Sequence, residues 1–347
     1  MKKIAVVSLS NNFDMQESIY NLYADMKSED LDVITVGSNK LRVSINIDEN
    51  NKLFNVPNRP GIEVKTLNFI ELFKILKVLN KVDIVYFFSS HIWNIILIKL
   101  LKKNIKVIHT IHDVFPHENE NQTNSVLRYN KYICNTVKFI VIHNEKYIKK
   151  FIEYYKYKGK VIYSPLWRSW NNYYEKNVTY NRVLFIGRVN PYKGVQSIKT
   201  FAQAIPNARF DIMGKFCDEM IEIKNEFSQI SNIKIEDRYL SEYEMINEIR
   251  NSDIVILPYI SATQSGVVLD AYRNSTPVIA FNVGALSEQV SSKEFLIDEG
   301  DIDAFIAKLG EFMEKSMVER NKISKECWEL GKEKFSSYWL IRELKKL

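Results

Sequence analysis

Cysteine is scarce in this chain of 347 residues: Cys134, Cys217 and Cys327 stand far apart with no C-x-x-C spacing, which offers neither a disulfide framework nor a thiolate set for zinc. That usage fits a reducing cytoplasm. No G-x-G-x-x-G follows the first apolar run, so a dinucleotide site of the dehydrogenase kind, and hydride transfer with it, drop out. Long apolar runs are missing as well. None approaches the roughly twenty residues that cross a bilayer, and the opening MKKIAVVSLS turns polar at Asn11, so it reads as a first strand rather than a signal peptide. Excess charge is modest: a net +6 and a pI near 8.9 suit an anionic ligand or an anionic membrane surface but fall short of a dedicated nucleic-acid binder. No nucleic-acid partner is expected. Internal repeats and low-complexity segments are lacking too.

What the chain does have is a regular succession of strand, loop and helix patterns. With 46% hydrophobic residues it can bury two ordinary cores, so two domains are expected. Lys3–Ser8, a helix at Ser18–Met26 and Leu31–Val36 open a βαβ series that continues with strands at Asp83–Phe88, Lys106–Thr110, Phe139–His143 and Lys160–Pro165. Residues 166–181 are rich in Trp, Asn and Tyr, carry neither period, and read as a connection. A second series runs from Arg182–Gly187 through Ala208–Met213, Asn232–Glu236, Ile254–Leu257 and Val278–Phe281 to Phe295–Ile297. The expectation is an α/β chain of two facing Rossmann-like domains with a cleft between them. Residues 1–165 with 335–347 form one domain and 182–334 the other; the terminal stretch returns to the first domain on an apolar stripe of Phe335, Trp339, Leu340 and Leu344.

The stretch Asp253–Val290 organises the second half. A short apolar run ends at Pro258, a polar loop holds Ser261, Thr263, Gln264, Ser265 and Gly266, and a helical pattern follows from Val267. Such a loop faces the carboxyl edge of a parallel sheet, where ligands bind, and a helix starting there offers unpaired N–H groups to a phosphate. Earlier, the strand ending at Gly187 leads into a loop with Arg188 and Lys193. An arginine fork and a movable lysine charge at one strand end could clamp a diphosphate, although cations beside a helix start are also ordinary surface residues.

All five histidines lie in the first half. The segment HTIHDVFPH sets His112, Asp113 and His117 just beyond a strand end, where polar residues tend to serve a cleft; structural histidines remain the alternative. Two segments, Asn68–Asn80 and Trp93–Lys103, are amphipathic and basic. In the first, Phe69, Leu72, Phe73, Leu76 and Leu79 share a helical face beside Lys74 and Lys77. They could rest on an anionic bilayer or could be core-facing stripes with solvated lysines.

Three pieces of sequence resemble the GT-B glycosyltransferases, and within them glycosyltransferase family four, the retaining enzymes of bacterial surface-polysaccharide assembly. FIGRVNPYKGV resembles that family's donor-diphosphate strand and loop, DIVILPY followed by SGVVLDAYRNSTPVIAFNVGALSE its donor loop, helix and next strand, and TIHDVFPH its amino-domain histidine segment. The resemblance implies that 182–334 binds a nucleotide-sugar donor and that 1–165 lies on the acceptor side. Arg188 and Lys193 then neutralise the leaving diphosphate without a metal, with Gly187, Gln264 and the amides around Ser265, Gly266 and Val267 at the donor. Asp270 stands where the family's ribose-binding glutamate is usual, and Ala262 where its earlier glutamate is, so E-x7-E is absent. His112 matches the histidine near the donor sugar, assisted by Asp113 or His117.

The implied activity is a retaining, metal-independent transfer of a sugar from a nucleoside-diphosphate sugar to a glycan or a lipid-linked glycan, with no cofactor beyond the donor. Its place would be cytoplasmic, peripheral on the inner face of the membrane. The front-face route has the departing phosphate oxygen accept the acceptor's proton; the other route uses His112 as base. A non-catalytic nucleotide-sugar-binding member of the same fold is the alternative, and an epimerase or phosphorylase lacks its expected lysine or acids.

Overall fold

The protein is described from a computed structural model covering residues 2–41, 43, 47–57, 63, 67–115, 123–177, 181–290 and 292–347. The chain divides into two compact units, Met1–Arg168 with Ser336–Leu347, and Ser169–Phe335.

In the first unit the apolar runs form seven parallel strands: β1 (Ile4–Ser8), β2 (Val33–Ser38), β3 (Asn51–Phe54), β4 (Ile84–Phe87), β5 (Lys106–Thr110), β6 (Phe139–Ile142) and β7 (Lys160–Tyr163). They lie in the order β3-β2-β1-β4-β5-β6-β7. Because side chains alternate along a strand, β1 divides its load between two cores. Ile4 and Val6 join Ile84, Tyr86 and the terminal helix's Leu340, Ile341 and Leu344; Ala5 and Val7 join Leu72, Ile75, Leu79, Trp93 and Leu97 on the opposite face. Each fully buried Leu or Ile contributes about 1.5–3 kcal/mol of transfer free energy, which is why the helix Tyr338–Lys345 docks on this sheet. The expected stripe is realised in part: Leu340 and Leu344 pack and Ile341 joins them, whereas Trp339 is exposed and Phe335 precedes the helix and belongs to the second unit.

The second unit repeats the plan with β8 (Arg182–Ile186), β9 (Arg209–Met213), β10 (Ile233–Glu236), β11 (Ile254–Leu257), β12 (Val278–Phe281) and β13 (Leu296–Ile297), in the order β10-β9-β8-β11-β12-β13. Strands β8, β11 and β12 are buried along their whole length, as a parallel sheet covered on both faces requires. A buried ion network ties the start of this sheet together: the Arg182 guanidinium meets Asp211 and Glu248, and its backbone N–H donates to Asp253 Oδ2 at 3.0 Å.

The described part of the connection, 166–177, is anchored at several points. Trp167 is buried and donates from Nε1 to Ser18 O at 2.9 Å, within the first unit. Tyr173 and Lys176 bond Asn321 at 2.9 and 3.1 Å, within the second. Several elements were not expected from the sequence, among them β3 and the helices Thr123–Thr136 and Ile221–Phe227. The helix Phe69–Leu79, capped by Asn68, corrects the expected face: Leu72, Ile75 and Leu79 pack, while Phe69 and Phe73 are exposed. Eight of its eleven residues are apolar, so periodicity offered two stripes and the sheet selected one of them.

Candidate active site

The strand order of the second sheet reverses between β8 and β11, and in an open parallel sheet ligands bind at the carboxyl ends of the strands at such a switch point. Arg188 and Lys193 follow β8; Gln264, Ser265 and Gly266 follow β11. The two loops are tied by the Ile260 N–H, which donates to Tyr192 O at 2.8 Å. Gly194 tightens the same seam: at φ +62 it lies so close to Pro258 that an added Cβ would fall 1.7 Å from the Pro258 carbonyl oxygen. Gly187, at φ +120, is the other residue whose lack of a side chain shapes the site. A Cβ there would sit 3.1 Å from Lys193 Nζ and 3.8 Å from Val267 Cγ2, so the bare backbone of Gly187 leaves room between the lysine head and the first turn of the helix Gly266–Arg273.

Lys193 Nζ rests over the rings of Tyr259 at 5.2 Å and Phe185 at 6.0 Å. Burial brings its pKa down to about 8; Tyr192 opposes that shift and the Arg188 guanidinium deepens it. Arg188 is exposed and has no salt-bridge partner among the described residues. Two cations that repel each other, one of them partly stripped of water, make a place where a dianion is favoured.

Three sequence expectations meet different surroundings. The Ser265 N–H is already engaged, donating to Gln289 Oε1 at 2.8 Å while Gln289 Nε2 donates back to Ser265 O at 3.1 Å. Among the expected amides, Gly266 and Val267 remain, at a helix start where N–H groups have no intrahelical acceptor. Asp270 does not present a free carboxylate. It is buried beside Arg273 of its own helix, Oδ1 to Nε 3.1 Å, and both side chains are almost fully covered. Ala262 is buried, and Gln264 is half-buried.

In the first unit, His112 follows β5 and its Nε2 lies 2.7 Å from Phe88 O. A carbonyl only accepts, so Nε2 carries the hydrogen and Nδ1 of the neutral ring is the acceptor. Burial lowers the His112 pKa, with the Phe88 contact and Asp113 opposing. His143 lies against it, ring centres 5.0 Å apart, and is held through Nδ1 to Ser164 O at 2.8 Å. Asp113 is exposed, and its carbonyl accepts from Asn130 Nδ2 at 2.9 Å. His117 lies outside the described residues. His109 bonds Tyr129 Oη at 2.8 Å from Nε2, and His91 caps the helix Ile92–Leu100 by accepting from Trp93 N at 3.1 Å. Both are structural. His143, Gln289 and the ring floor of Phe185 and Tyr259 were not found from sequence; only the aromatic types within FIGR and LPY could have pointed to the last.

Residues 168–327 match the family described as Glycosyl transferases group 1. That match lies almost wholly within the second unit, which is similar to the domains of that family. Chain-wide, the protein shares its fold with sucrose-phosphate synthase from Thermosynechococcus elongatus, TM-score 0.74 at 15% identity over 100% of this chain and 98% of that one. It shares it also with Anabaena HepE in complex with UDP and glucose, TM-score 0.69 at 14% identity over 100% and 99%. The fold is that of the GT-B glycosyltransferases. In sequence, the chain is 24% identical over 219 residues to a GDP-mannose:glycolipid 4-beta-D-mannosyltransferase of Xanthomonas campestris pv. campestris, spanning 60% of each protein. It is 21% identical to the Staphylococcus aureus protein CapJ over 55% of this chain and 44% of that one.

Proposed function

We propose that this protein is a glycosyltransferase that takes a sugar from a nucleoside-diphosphate sugar and places it on a glycan or lipid-linked glycan acceptor in surface-polysaccharide assembly. The observation that carries the reading is Lys193, a partly desolvated ammonium with Arg188 nearby, at the switch point of the unit that matches the group 1 family. As the bond between the anomeric carbon and the phosphate oxygen breaks, charge grows on the diphosphate, and fixed cations there stabilise departure more than they stabilise the ground state. No metal is required in this scheme. The HepE structure holds UDP and glucose, and the Xanthomonas relative is named for GDP-mannose and a glycolipid; both support a nucleotide sugar, and the second a lipid-borne acceptor.

In the retaining route the new bond forms on the face that the leaving group vacates, and the acceptor's proton passes to the departing phosphate oxygen. His112, neutral and with its pKa held down by burial, serves there as a hydrogen-bond acceptor at Nδ1 rather than as a strong base. A second reading, inversion, is favoured by the 4-beta linkage in the name of the Xanthomonas relative; it needs a base on the opposite side of the sugar.

The test is a thermal-shift screen of nucleotide sugars, in which a ligand at about one hundred times its dissociation constant adds about 2.7 kcal/mol of stability, followed by turnover of the stabilising donor with a lipid-linked acceptor. The anomeric coupling constant of the product then separates retention from inversion. Stabilisation by donor without transfer or donor hydrolysis would instead identify a non-catalytic binding member, and the absence of any stabilising nucleotide sugar would refute the proposal.

A further inference from the structure

We propose that the amino edge of the first unit's sheet is a binding track for an acidic glycan chain, which it holds at a distance from the reacting end. The net charge of +6 conceals an uneven division. The first unit has 28 Lys and Arg against 17 Asp and Glu, whereas the second has 20 against 25, so the two carry charge of opposite sign. An asymmetry of that kind says nothing about the fold and points to an anionic partner for the first unit.

The basic excess has a place. All strands of a parallel sheet start at one edge, and the residues leading into β1, β4, β5, β6 and β7 include Lys2, Lys81, Lys102, Lys103, Lys138 and Lys158, each of them exposed. None of the six has a carboxylate partner among the described residues. Acids beside the row are engaged: Asp32 pairs with Lys3 at 3.4 Å, Asp83 accepts from the Lys3 backbone N–H at 2.8 Å, and Glu343 meets Lys160 at 2.9 Å and also Lys346. These five strands are consecutive neighbours in the sheet, so their starts stand about 4.8 Å apart and the row crosses about 19 Å. The apolar residues interleaved with the lysines, Val82, Ile105, Val137 and Tyr157, are buried. The row therefore has no apolar side chain to set into a bilayer and no exposed ring on which a base could stack, and no helix among the described residues is long and apolar enough to cross a membrane. What remains is a line of cations at regular steps on a rigid edge, which complements a chain bearing one negative charge per repeat, carboxylate or phosphate. The edge lies one strand length, about 16 Å, from the edge where His112 follows β5, too far for these lysines to touch the reacting sugar. They hold chain remote from it, and binding at a second place raises the effective concentration of the acceptor end. This deepens the reading of a glycan acceptor by making that glycan acidic, and rests on it for its purpose, but its test involves no transfer.

The experiment measures binding of a fluorescein-labelled polygalacturonate oligomer to the purified full chain by anisotropy, at low and high salt, with unlabelled dextran, oligothymidylate or phosphatidylglycerol vesicles as competitors at matched charge or mass. It compares wild type with a row variant, Lys102→Gln, Lys103→Gln, Lys138→Gln, Lys158→Gln, and with a control, Lys74→Gln, Lys77→Gln, Lys131→Gln, Lys149→Gln, that removes the same charge from helices of the same unit. Circular dichroism and nucleotide-dependent thermal shift are run on each. Wild type binds the acidic oligomer, releases it as salt rises, and is indifferent to dextran. The row variant loses at least about tenfold in affinity, the scale of removing four exposed charge contacts, and the control loses less than about threefold. An equal loss in the control, stronger competition by oligothymidylate or by vesicles than by unlabelled polygalacturonate, or no wild-type binding at low salt would each overturn the proposal. The nucleotide response reads the transferase assignment separately, because none of these substitutions lies in the second unit.

Discussion

Replacing Lys193 by methionine should make the protein more stable and much less active. The folded state lowers the Lys193 pKa from 10.5 to about 8, equivalent to about 3 kcal/mol by which folding disfavours the charged form. That cost is fully present below the folded value near pH 8 and disappears as pH rises toward the unfolded value of 10.5. Methionine keeps the length and volume, discards the charge, and forfeits the contact with the Tyr259 and Phe185 faces, which is worth about 0.5–1 kcal/mol. A net gain of about 2–2.5 kcal/mol near neutral pH follows, or an increase of about 4–10 °C in the melting temperature of a unit this size. Scanning calorimetry from about pH 7 to about pH 10 should show the gain shrinking with pH.

Function should move the other way. A bound diphosphate returns the ammonium toward its ordinary range, so above pH 8 the wild type takes up a proton on binding, and affinity falls by about tenfold per pH unit until the bound-state pKa is reached. Titration calorimetry near pH 9 in two buffers of different ionisation enthalpy measures that uptake. Lys193→Met should abolish it and reduce transfer by about one hundred- to one thousandfold, the scale of losing one charge-stabilising donor. A variant no more stable than wild type near pH 7, or wild-type binding without proton uptake, would refute the assignment of Lys193 to the diphosphate.

Three further outcomes follow from the geometry. Asp270→Ala removes the carboxylate 3.1 Å from the buried Arg273 Nε and should lower stability in urea unfolding by about 1–3 kcal/mol, a loss distinct from any change in donor affinity. Gly194→Ala should sharply lower the yield of folded protein, since its Cβ would lie 1.7 Å from the Pro258 carbonyl oxygen at φ +62; circular dichroism and the melting temperature report it. Acidification should weaken the first unit: His91 titrates near 4, and His109 and His143 near 3, all through burial. The stability tied to their neutral forms is complete above about pH 6.5 and is lost as pH falls toward 4, reaching about 6 kcal/mol for the three together near pH 5. Fluorescence-detected urea titrations from about pH 7 down to about pH 5 will show whether that loss occurs.

Strand runs such as Ile254–Leu257 and Val278–Phe281 were legible because a parallel strand buried on both faces is apolar throughout and is bounded by Pro or Gly. β3 was not, because Asn51 and Lys52 interrupt its four residues and its place comes from register, Thr35 to Asn51 through Ser38 to Phe54, which no local pattern encodes. The helix Phe69–Leu79 failed differently. Its existence was plain, but with apolar residues nearly all round, the buried stripe was decided by the neighbours Val56, Val82 and Leu97. Of the side chains that periodicity placed on one face, Leu72 and Leu79 pack and Leu76 touches the core, while Phe69 and Phe73 face outward.

Legibility of the candidate site followed the same division between local and distant causes. Arg188 and Lys193 could be named because a strand end, a glycine and two cations fall within one dozen residues, and their chemistry toward an anion depends on little else. Lys193's lowered pKa could not be read in advance, since it comes from burial over Tyr259, which the chain reaches only after three further strands. Asp270 shows why a carboxylate's position in sequence does not settle its role. Placed three residues before Arg273 on a buried helix, it meets a guanidinium on the same helical face, and a ligand hydroxyl would have to compete with a charge-assisted contact already made. A longer side chain relaxes that competition, because it can reach beyond the arginine while still touching it. Asp270→Glu should therefore preserve stability and leave donor affinity equal or tighter, whereas Asp270→Asn should weaken both. If Asp270→Asn binds nucleotide as wild type does while its stability falls, the carboxylate belongs to the core of the helix and not to the donor.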